Sequence, residues 1–160
     1  MFVSAERWRW REAPSSVVAD TSGLLAALDS AHPEHQAAQE AITAAGLLVM
    51  SPLLLAELDH AATRQLGREA AVSAIDGIRG WTRRGRASVP EITEAHLGRA
   101  QTVRPRYPAL DLDLTDVVNV ALAADYDTDA ILTLDRRDFR AVRPLGHHKA
   151  FRVLTDDLPV

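Results

Sequence analysis

Residues 112–139, LDLTDVVNVALAADYDTDAILTLDRRDF, hold a helix, a strand and a second helix in close succession. Thr115 is a good helix-capping residue, and the apolar run behind it predicts a helix over 115–125. The AILT run at 130–133 predicts a buried strand, and a short helical turn is expected over 136–140. A helix, a buried strand and another helix in direct succession are typical of an α/β protein.

The rest of the chain continues this alternation. Short apolar runs predict strands at 17–19, 47–50 and 87–89, and a last strand at 151–154. Helical patterns lie between them, opening at Thr21 and covering 33–45, 52–66, 69–83 and 93–103. Short strands that alternate with helices predict a single α/β domain with a mainly parallel sheet.

Length and composition fit one globular domain. The chain has 160 residues, of which 47% are hydrophobic and 25% are charged. Residues 1–16 are polar and aromatic and are predicted to be an extension ahead of one domain over 17–160. They lack the apolar segment of a secretory signal, and no apolar run is long enough to span a membrane. There is no cysteine for a disulfide, so a cytoplasmic location is expected.

Four acidic residues lie where apolar strand-like runs give way to helices: Asp20, Glu57, Asp116 and Asp135. Carboxylates beside strongly apolar segments cost free energy unless they are paired, hydrogen-bonded or bound to a metal ion. Asp20 and Asp135 each follow a predicted strand, and ligands bind at the carboxyl ends of the strands in open parallel sheets. Glu57 and Asp116 each share a helix face with apolar residues. We therefore expect the four acids to share one site.

Each acid also has a purely structural explanation. Asp20 and Asp135 are suitable N-caps for the helices that follow them, and such a cap contributes roughly 1 kcal/mol. Asp138, three positions after Asp135, would complete an arrangement related to the capping box.

The two helical acids have alternatives of the same kind. Asp116 lies in the first turn of its helix, where the helix dipole favours a negative charge. Glu57 would reach water from the edge of its apolar face. Asp113 and Asp138 are weaker candidates for the site, since both lie next to a cap.

The expected site has only oxygen ligands, which suits Mg²⁺ or Mn²⁺. Such ions activate water for the hydrolysis of phosphodiesters, and this chemistry needs no separate histidine base. The chain has no HExxH, Walker A or GxGxxG pattern, which argues against zinc-protease, triphosphate and dinucleotide sites. His147 and His148 are expected at the surface. The net charge is −4, yet 17 of the 18 basic residues are arginines, which bind phosphates well.

Four stretches carry a further signal: VVADTSGLLAALD (17–29), SPLLLAEL (51–58), residues 112–139 quoted above and FRVL (151–154). In this order they resemble the PIN domain, in particular the VapC-like toxins of bacterial type II toxin–antitoxin systems. The resemblance implies an α/β/α sandwich with a parallel sheet. It also implies an endoribonuclease that depends on Mg²⁺ or Mn²⁺, a VapB-like antitoxin as its inhibitor, and a homodimer.

By motif, the catalytic and metal-binding residues of the family fall on Asp20, Glu57, Asp116 and Asp135. The resemblance makes Asp138 a possible accessory residue, and Thr21 or Ser22 would position the first acid or its water. Arg136 and Arg137, beside this site, are expected to hold RNA phosphates.

Two other classes of protein stay open at this point. One is a non-catalytic α/β interaction module whose acids are helix caps. The other is a phosphotransfer domain of the receiver or phosphatase type, which also gathers aspartates at strand ends. The first motif lacks the DxDxT pattern of the haloacid-dehalogenase-like phosphatases, and Lys149 is the only lysine available for a receiver.

Overall fold

The protein is built around a five-stranded sheet, seen in a computed structural model that describes residues 13–157. The strands are β1 (Ser16–Ala19), β2 (Leu47–Val49), β3 (Ala87–Ser88), β4 (Ala130–Leu132) and β5 (Arg152–Leu154). The helices are α1 (Thr21–Leu28), α2 (His35–Ala44), α3 (Pro52–Leu66), α4 (Arg68–Arg83), α5 (Glu94–Val103), α6 (Leu114–Asp125) and α7 (Arg136–Ala141). A 3₁₀ turn, Arg104–Arg106, follows α5.

The strand order is β3-β2-β1-β4-β5, and all four pairings are parallel. Val17 pairs with Leu48 in β2, and Val18 pairs with Ile131 in β4. The central strand β1 is apolar because both of its faces are covered by helices. The predicted α/β class and parallel sheet are confirmed.

Successive residues of each strand point to opposite faces, which divides the core into two. On one face Val17, Leu48 and Leu132 pack with residues of α1 to α4. On the other face, Val18 and Ile131 pack with residues of α5, α6 and α7. The molecule is therefore the α/β/α sandwich that the resemblance implied.

Two predicted helix starts are wrong. The helix predicted from Pro33 begins at His35, because the Asp29 side chain accepts a hydrogen bond from Ala31 N and holds the preceding segment as a turn. Thr115 is not the cap of α6. Asp113 is the N-cap residue and Thr115 lies inside the first turn, which frees its hydroxyl for another partner.

Most of the predicted N-terminal extension, residues 1–16, lies outside the described residues. Residues 1–12 are beyond them, but Ser16 pairs with Leu47, so β1 begins one residue before the predicted domain start. Within residues 13–157, no helix is both long and apolar enough to cross a membrane.

Candidate active site

The four predicted acids lie around the point where the strand order of the sheet reverses direction. After β3 at one edge, the chain returns to β4 on the other side of β1. In open α/β sheets the carboxyl ends of two such strands flank a crevice in which ligands bind. Asp20 directly follows β1, and its backbone N–H donates to Leu132 O at the end of β4 (2.9 Å). Asp135 follows β4 after two further residues.

Asp20 is buried, with 7% of its surface exposed. Its Oδ2 accepts hydrogen bonds from the hydroxyls of Ser22 (3.1 Å) and Thr133 (2.9 Å). Burial raises the pKa of Asp20, the hydroxyl bonds oppose that shift, and the charge of Glu57 adds to it. Asp20 occupies the N-cap position of α1 but makes no side-chain capping bond, so the capping alternative does not explain it.

Gly23 brings α1 close enough to β4 for these bonds. A Cβ atom at this position would lie 2.6 Å from both Cγ and the carbonyl oxygen of Leu132. No real Cβ tolerates that distance to a backbone oxygen, so only glycine fits. The close packing lets Ser22 accept a hydrogen bond from Leu134 N (3.0 Å) while it donates to Asp20.

Glu57 is held by hydroxyls from two other helices. Thr21 of α1 donates to its Oε2 (2.9 Å), and Thr115 of α6 donates to its Oε1 (2.6 Å). The carboxylate therefore ties α1, α3 and α6 together at the carboxyl edge of the sheet. Leu54 and Leu58 on the same helix face are buried, as the sequence pattern predicted.

Asp116 is the most perturbed acid of the group. Burial raises the pKa of Asp116 to about 7. The neighbouring charges of Asp113, Asp20 and Asp135 add to the rise, which shows that these carboxylates lie within electrostatic reach of one another. Its Oδ2 also accepts a hydrogen bond from Asp113 N (3.0 Å), so Asp116 serves as a capping-box residue as well.

The uncertain members of the site now have separate positions. Asp113 is an exposed N-cap whose Oδ1 accepts from Asp116 N (2.9 Å). Asp135 caps α7 by accepting a hydrogen bond from Asp138 N (3.2 Å), so the predicted capping role of Asp135 is confirmed. Asp138 is buried beside it, and burial followed by the charge of Asp135 raises the pKa of Asp138.

Thr133 and Thr115 are the site residues that the sequence did not reveal as such. Thr133 is fully buried; its hydroxyl donates to Asp20 and accepts from Asp135 N (3.0 Å), so it links the two strand-end acids. A hydroxyl two residues before a strand-end aspartate was the available signal. Thr115 was assigned to the cap of α6, because threonine is a common N-cap.

Within the described part of the chain, no arginine, lysine or histidine forms an ion pair with any of the four predicted acids. Arg136, expected to hold RNA phosphates, instead forms ion pairs with Glu34 and Asp156. Arg137 donates one hydrogen bond, to Ala109 O (3.2 Å), and its charge lowers the pKa of Asp138. Of the two arginines, Arg137 is the one placed beside the acids.

Comparison with known proteins shows the family of the chain. The PIN domain family matches residues 17–144. The chain belongs to the PIN domain family. Ribonuclease VapC26 of Mycobacterium tuberculosis (strain ATCC 25618 / H37Rv) is 37% identical over 131 residues, which cover 81% of this chain and 94% of that protein. The predicted resemblance to VapC-like PIN domains is confirmed.

Two solved structures share the fold. Mycobacterium tuberculosis VapC20, described as a sarcin–ricin loop cleaving toxin, has a TM-score of 0.65 at 18% identity, over 76% of this chain and 91% of that one. Rickettsia felis VapBC2, bound to a DNA fragment from its promoter, has a TM-score of 0.61 at 13% identity, over 86% of this chain and 98% of the matched chain. At these identities the likeness concerns the fold alone.

The acids of this PIN domain have the donor chemistry that a hard divalent cation requires. They are all carboxylates and lack cationic partners among residues 13–157. Besides burial, the charge of Glu57 raises the pKa of Asp20, and the charges of Asp20 and Asp135 raise the pKa of Asp116. No three of them bring carboxylate oxygens within 4.8 Å of one another in that part of the chain. An ion would thus be held by one or two carboxylates with water completing its shell, which is the habit of Mg²⁺.

Asn119 adds an independent sign of a hydrated site. It lies one turn after Asp116 on α6, on the same side of the helix, and is fully buried. Neither its amide nitrogen nor its amide oxygen has a hydrogen-bond partner among the described residues, 13–157. Buried amides are rarely left unpaired, because the loss costs about 1–3 kcal/mol. Asn119 therefore fits beside bound water or an ion shell.

Proposed function

We propose that the protein is a Mg²⁺- or Mn²⁺-dependent endoribonuclease that acts as the toxin of a type II toxin–antitoxin module. The observation that carries the proposal is the cluster of four carboxylates at the strand switch point. Asp20 is buried, the other three are half-buried, and none forms an ion pair among residues 13–157. The name of its relative, ribonuclease VapC26, supports RNA as the substrate. The non-catalytic alternative requires the acids to be caps, and neither Asp20 nor Glu57 is bonded as one.

Asp20, Glu57, Asp116 and Asp135 would hold one or two ions, directly or through water. An ion in this place supplies Lewis acidity, which polarises phosphate oxygens and makes water a better nucleophile at neutral pH. The protein supplies rigidity. Hydroxyls of four residues fix two of the carboxylates, Ser22 and Thr133 at Asp20 and Thr21 and Thr115 at Glu57. Ligands held this way lose little entropy when the site forms.

Arg137 is the residue proposed to bind an RNA phosphate next to the site. Its guanidinium is exposed and makes one backbone hydrogen bond, whereas Arg136 is committed to Glu34 and Asp156. An arginine in this position contacts the backbone and fixes the register of the RNA without reading its sequence. The overall negative charge does not oppose this, because bound cations are the largest local charges at such a site.

A VapB-like antitoxin and a homodimer complete the proposal. In support of an antitoxin partner, the fold is shared with Rickettsia felis VapBC2, which is bound to a DNA fragment from its promoter. Copurification of the chain with the product of a neighbouring reading frame tests the first part. Light scattering of the isolated toxin tests the second.

The activity is tested by substituting Asp116 with asparagine, which keeps the size and the hydrogen bond to Asp113 N. Asp116→Asn protein should cleave RNA at least about 100-fold more slowly than wild type, because metal-ion assistance is worth several kcal/mol. Asp59→Asn is the matched control, since Asp59 is an exposed acid on the solvent side of α3. Cleavage of total RNA with Mn²⁺, and again with EDTA, is the measurement. Full activity of Asp116→Asn, or cleavage that persists in EDTA, contradicts the proposal.

A further inference from the structure

A second group of potential metal ligands lies at the amino ends of the strands, opposite the carboxyl ends where the acids lie. Asp127 is in the turn between α6 and β4, and His147 and His148 are in the loop before β5. Both segments precede a strand, whereas the acids follow strands. We propose that Asp127, His147 and His148 bind a transition-metal ion of the Zn²⁺ type, independently of the site of cleavage.

The spacing of the three side chains matches a coordination shell. Asp127 Oδ1 lies 3.3 Å from His147 Nδ1 and 3.4 Å from His148 Nε2. All three ligand atoms lie within 4.8 Å of one another. A tetrahedral ion with ligands at about 2.0–2.2 Å separates neighbouring ligand atoms by about 3.3–3.6 Å. Two edges of the triangle already have that length, and small rotations of the His147 side chain would adjust the third.

Local backbone geometry fixes the aspartate in this position. Asp127 has a left-handed conformation with φ of 47°, which aspartate tolerates better than most residues. Its backbone N–H donates to Ala124 O (3.2 Å), so the turn is closed at the end of α6. His148 Nε2 also lies 3.3 Å from the carbonyl oxygen of Asp127. A proton on this nitrogen bridges two oxygens, and a metal cation would take its place.

The pair of imidazoles selects the class of metal. The two rings lie 4.1 Å apart between centroids at an angle of 32°. Two charged imidazolium rings stacked in this way would repel, whereas two neutral rings each offer a lone pair. Imidazole with one carboxylate suits Zn²⁺, Ni²⁺ or Cu²⁺, and suits Mg²⁺ poorly. The His147 side chain is 72% exposed, so an ion has open access and keeps a coordination position for water.

The ion would add a link between the α6–β4 turn and the loop before β5, next to the ion pair between Asp129 and Arg152. The loop that carries His147 and His148 ends the long connection between β4 and β5, and that connection begins with α7 and its acids. Metal binding would therefore anchor the far end of this connection to the α6–β4 turn. The expected consequence is a higher melting temperature, which does not depend on the proposed nuclease activity.

Zn²⁺ titration of the full-length, tag-free protein in millimolar Mg²⁺ tests the site, with calorimetry and the visible spectrum of Co²⁺ as readouts. His147→Ala and His148→Ala should each weaken Zn²⁺ binding at least about 10-fold. His60→Ala is the matched control, because His60 is an exposed histidine on α3 outside the group. Asp116→Asn is the second control, because it alters only the acidic site. Both controls should bind Zn²⁺ like wild type.

Asp127→Asn provides a variant that cannot fail through the turn, since asparagine also adopts the left-handed conformation. It should melt like wild type in EDTA and lose most of the Zn²⁺-induced rise in melting temperature. Wild-type Zn²⁺ affinity in both histidine variants would overturn the proposal. Loss of Zn²⁺ binding in Asp116→Asn alone would overturn it too, because the ion would then belong to the acidic site.

Discussion

Two groups of acids lie near the carboxyl ends of the strands, and they differ in whether a cation is paired with them. The first group is Asp20, Glu57, Asp116 and Asp135, for which the described residues provide no ion pair. The second group is Glu34, Asp156 and Asp157, which surround Arg136 and Arg140. Arg136 Nε lies 2.7 Å from Asp156 Oδ2, and Arg140 Nη1 lies 2.6 Å from Asp157 Oδ2.

The pKa shifts of Asp116 in the first group and Asp156 in the second have opposite signs. Burial raises the pKa of Asp116 to about 7, whereas the hydrogen bonds from Arg136 lower the pKa of Asp156. Helix α7 separates the groups, since its N-cap residue Asp135 belongs to the first and its Arg136 and Arg140 pair with the second. Arg136 directly follows Asp135 of the first group in the chain, yet it forms ion pairs with Glu34 and Asp156 of the second. Carboxylates left unneutralised at a cost in stability are typical of a functional site.

The comparison is tested most strongly by removing one charge from each group. Asp116→Asn should raise the free energy of unfolding of the metal-free protein by about 1–3 kcal/mol, because it relieves a buried like-charge cluster and one pKa unit corresponds to about 1.4 kcal/mol. Asp156→Asn should lower it by about 0.5–1 kcal/mol, since the ion pair it breaks is partly exposed. Urea unfolding in EDTA measures both.

The activity of the same two variants should change in the reverse order. Asp156→Asn is expected to cleave RNA at the wild-type rate, because Asp156 binds only the arginines. If Asp116→Asn destabilises the metal-free protein as much as Asp156→Asn does, the acids of the first group stabilise the fold. The two groups would then not differ in their contribution to stability.

The pH dependence of stability should show the same contrast. The folded-state pKa of Asp116, about 7, exceeds its value of 3.8 in the unfolded chain. Between these values the folded state binds more protons than the unfolded state, so metal-free protein should lose stability as pH rises from 5 to 8. Mn²⁺ at pH 8 should restore it, because the ion replaces the proton. Melting temperatures with EDTA or Mn²⁺ measure the effect.

Because other groups of the protein contribute to the same profile, the control is the difference between wild type and Asp116→Asn. The variant should show a flatter profile from pH 5 to 8 and a smaller rise with Mn²⁺. An identical profile in both proteins would assign the pH dependence to other groups.

Much of the fold could be predicted from the sequence because its signals are local. The apolar runs of β1 and β4 are short and buried on both faces, and Ser51 with Pro52 marks the start of α3 at the residue predicted. The strand order could not be predicted from such runs. It depends on which neighbours each strand finds after folding, and the family resemblance implied a parallel sheet without giving the order of its strands.

The acids of the candidate site could be proposed from the sequence, whereas most of the hydroxyls that contact them could not. Asp20 and Asp135 are recognisable because charge at the end of an apolar strand is unusual. Thr115 and Thr133 have roles set by partners 58 and 113 residues away, Glu57 and Asp20. The ion pair of Arg136 could not be foreseen for the same reason, since its partner Asp156 lies 20 residues further along.

The smallest expected effect concerns one of these hydroxyls. Thr115→Val keeps the shape of the side chain and removes the hydrogen bond to Glu57 Oε1, so the carboxylate loses one of its two hydroxyl contacts. We expect cleavage to slow about 10-fold and the free energy of unfolding to change by about 1 kcal/mol, the net value of one hydrogen bond. Thr115→Ser retains the hydroxyl and should retain most of the activity. Equal activity of the valine and serine variants would mean that Glu57 needs no hydrogen bond from α6 to stay in position. The first group would then differ from the second only in lacking a paired cation.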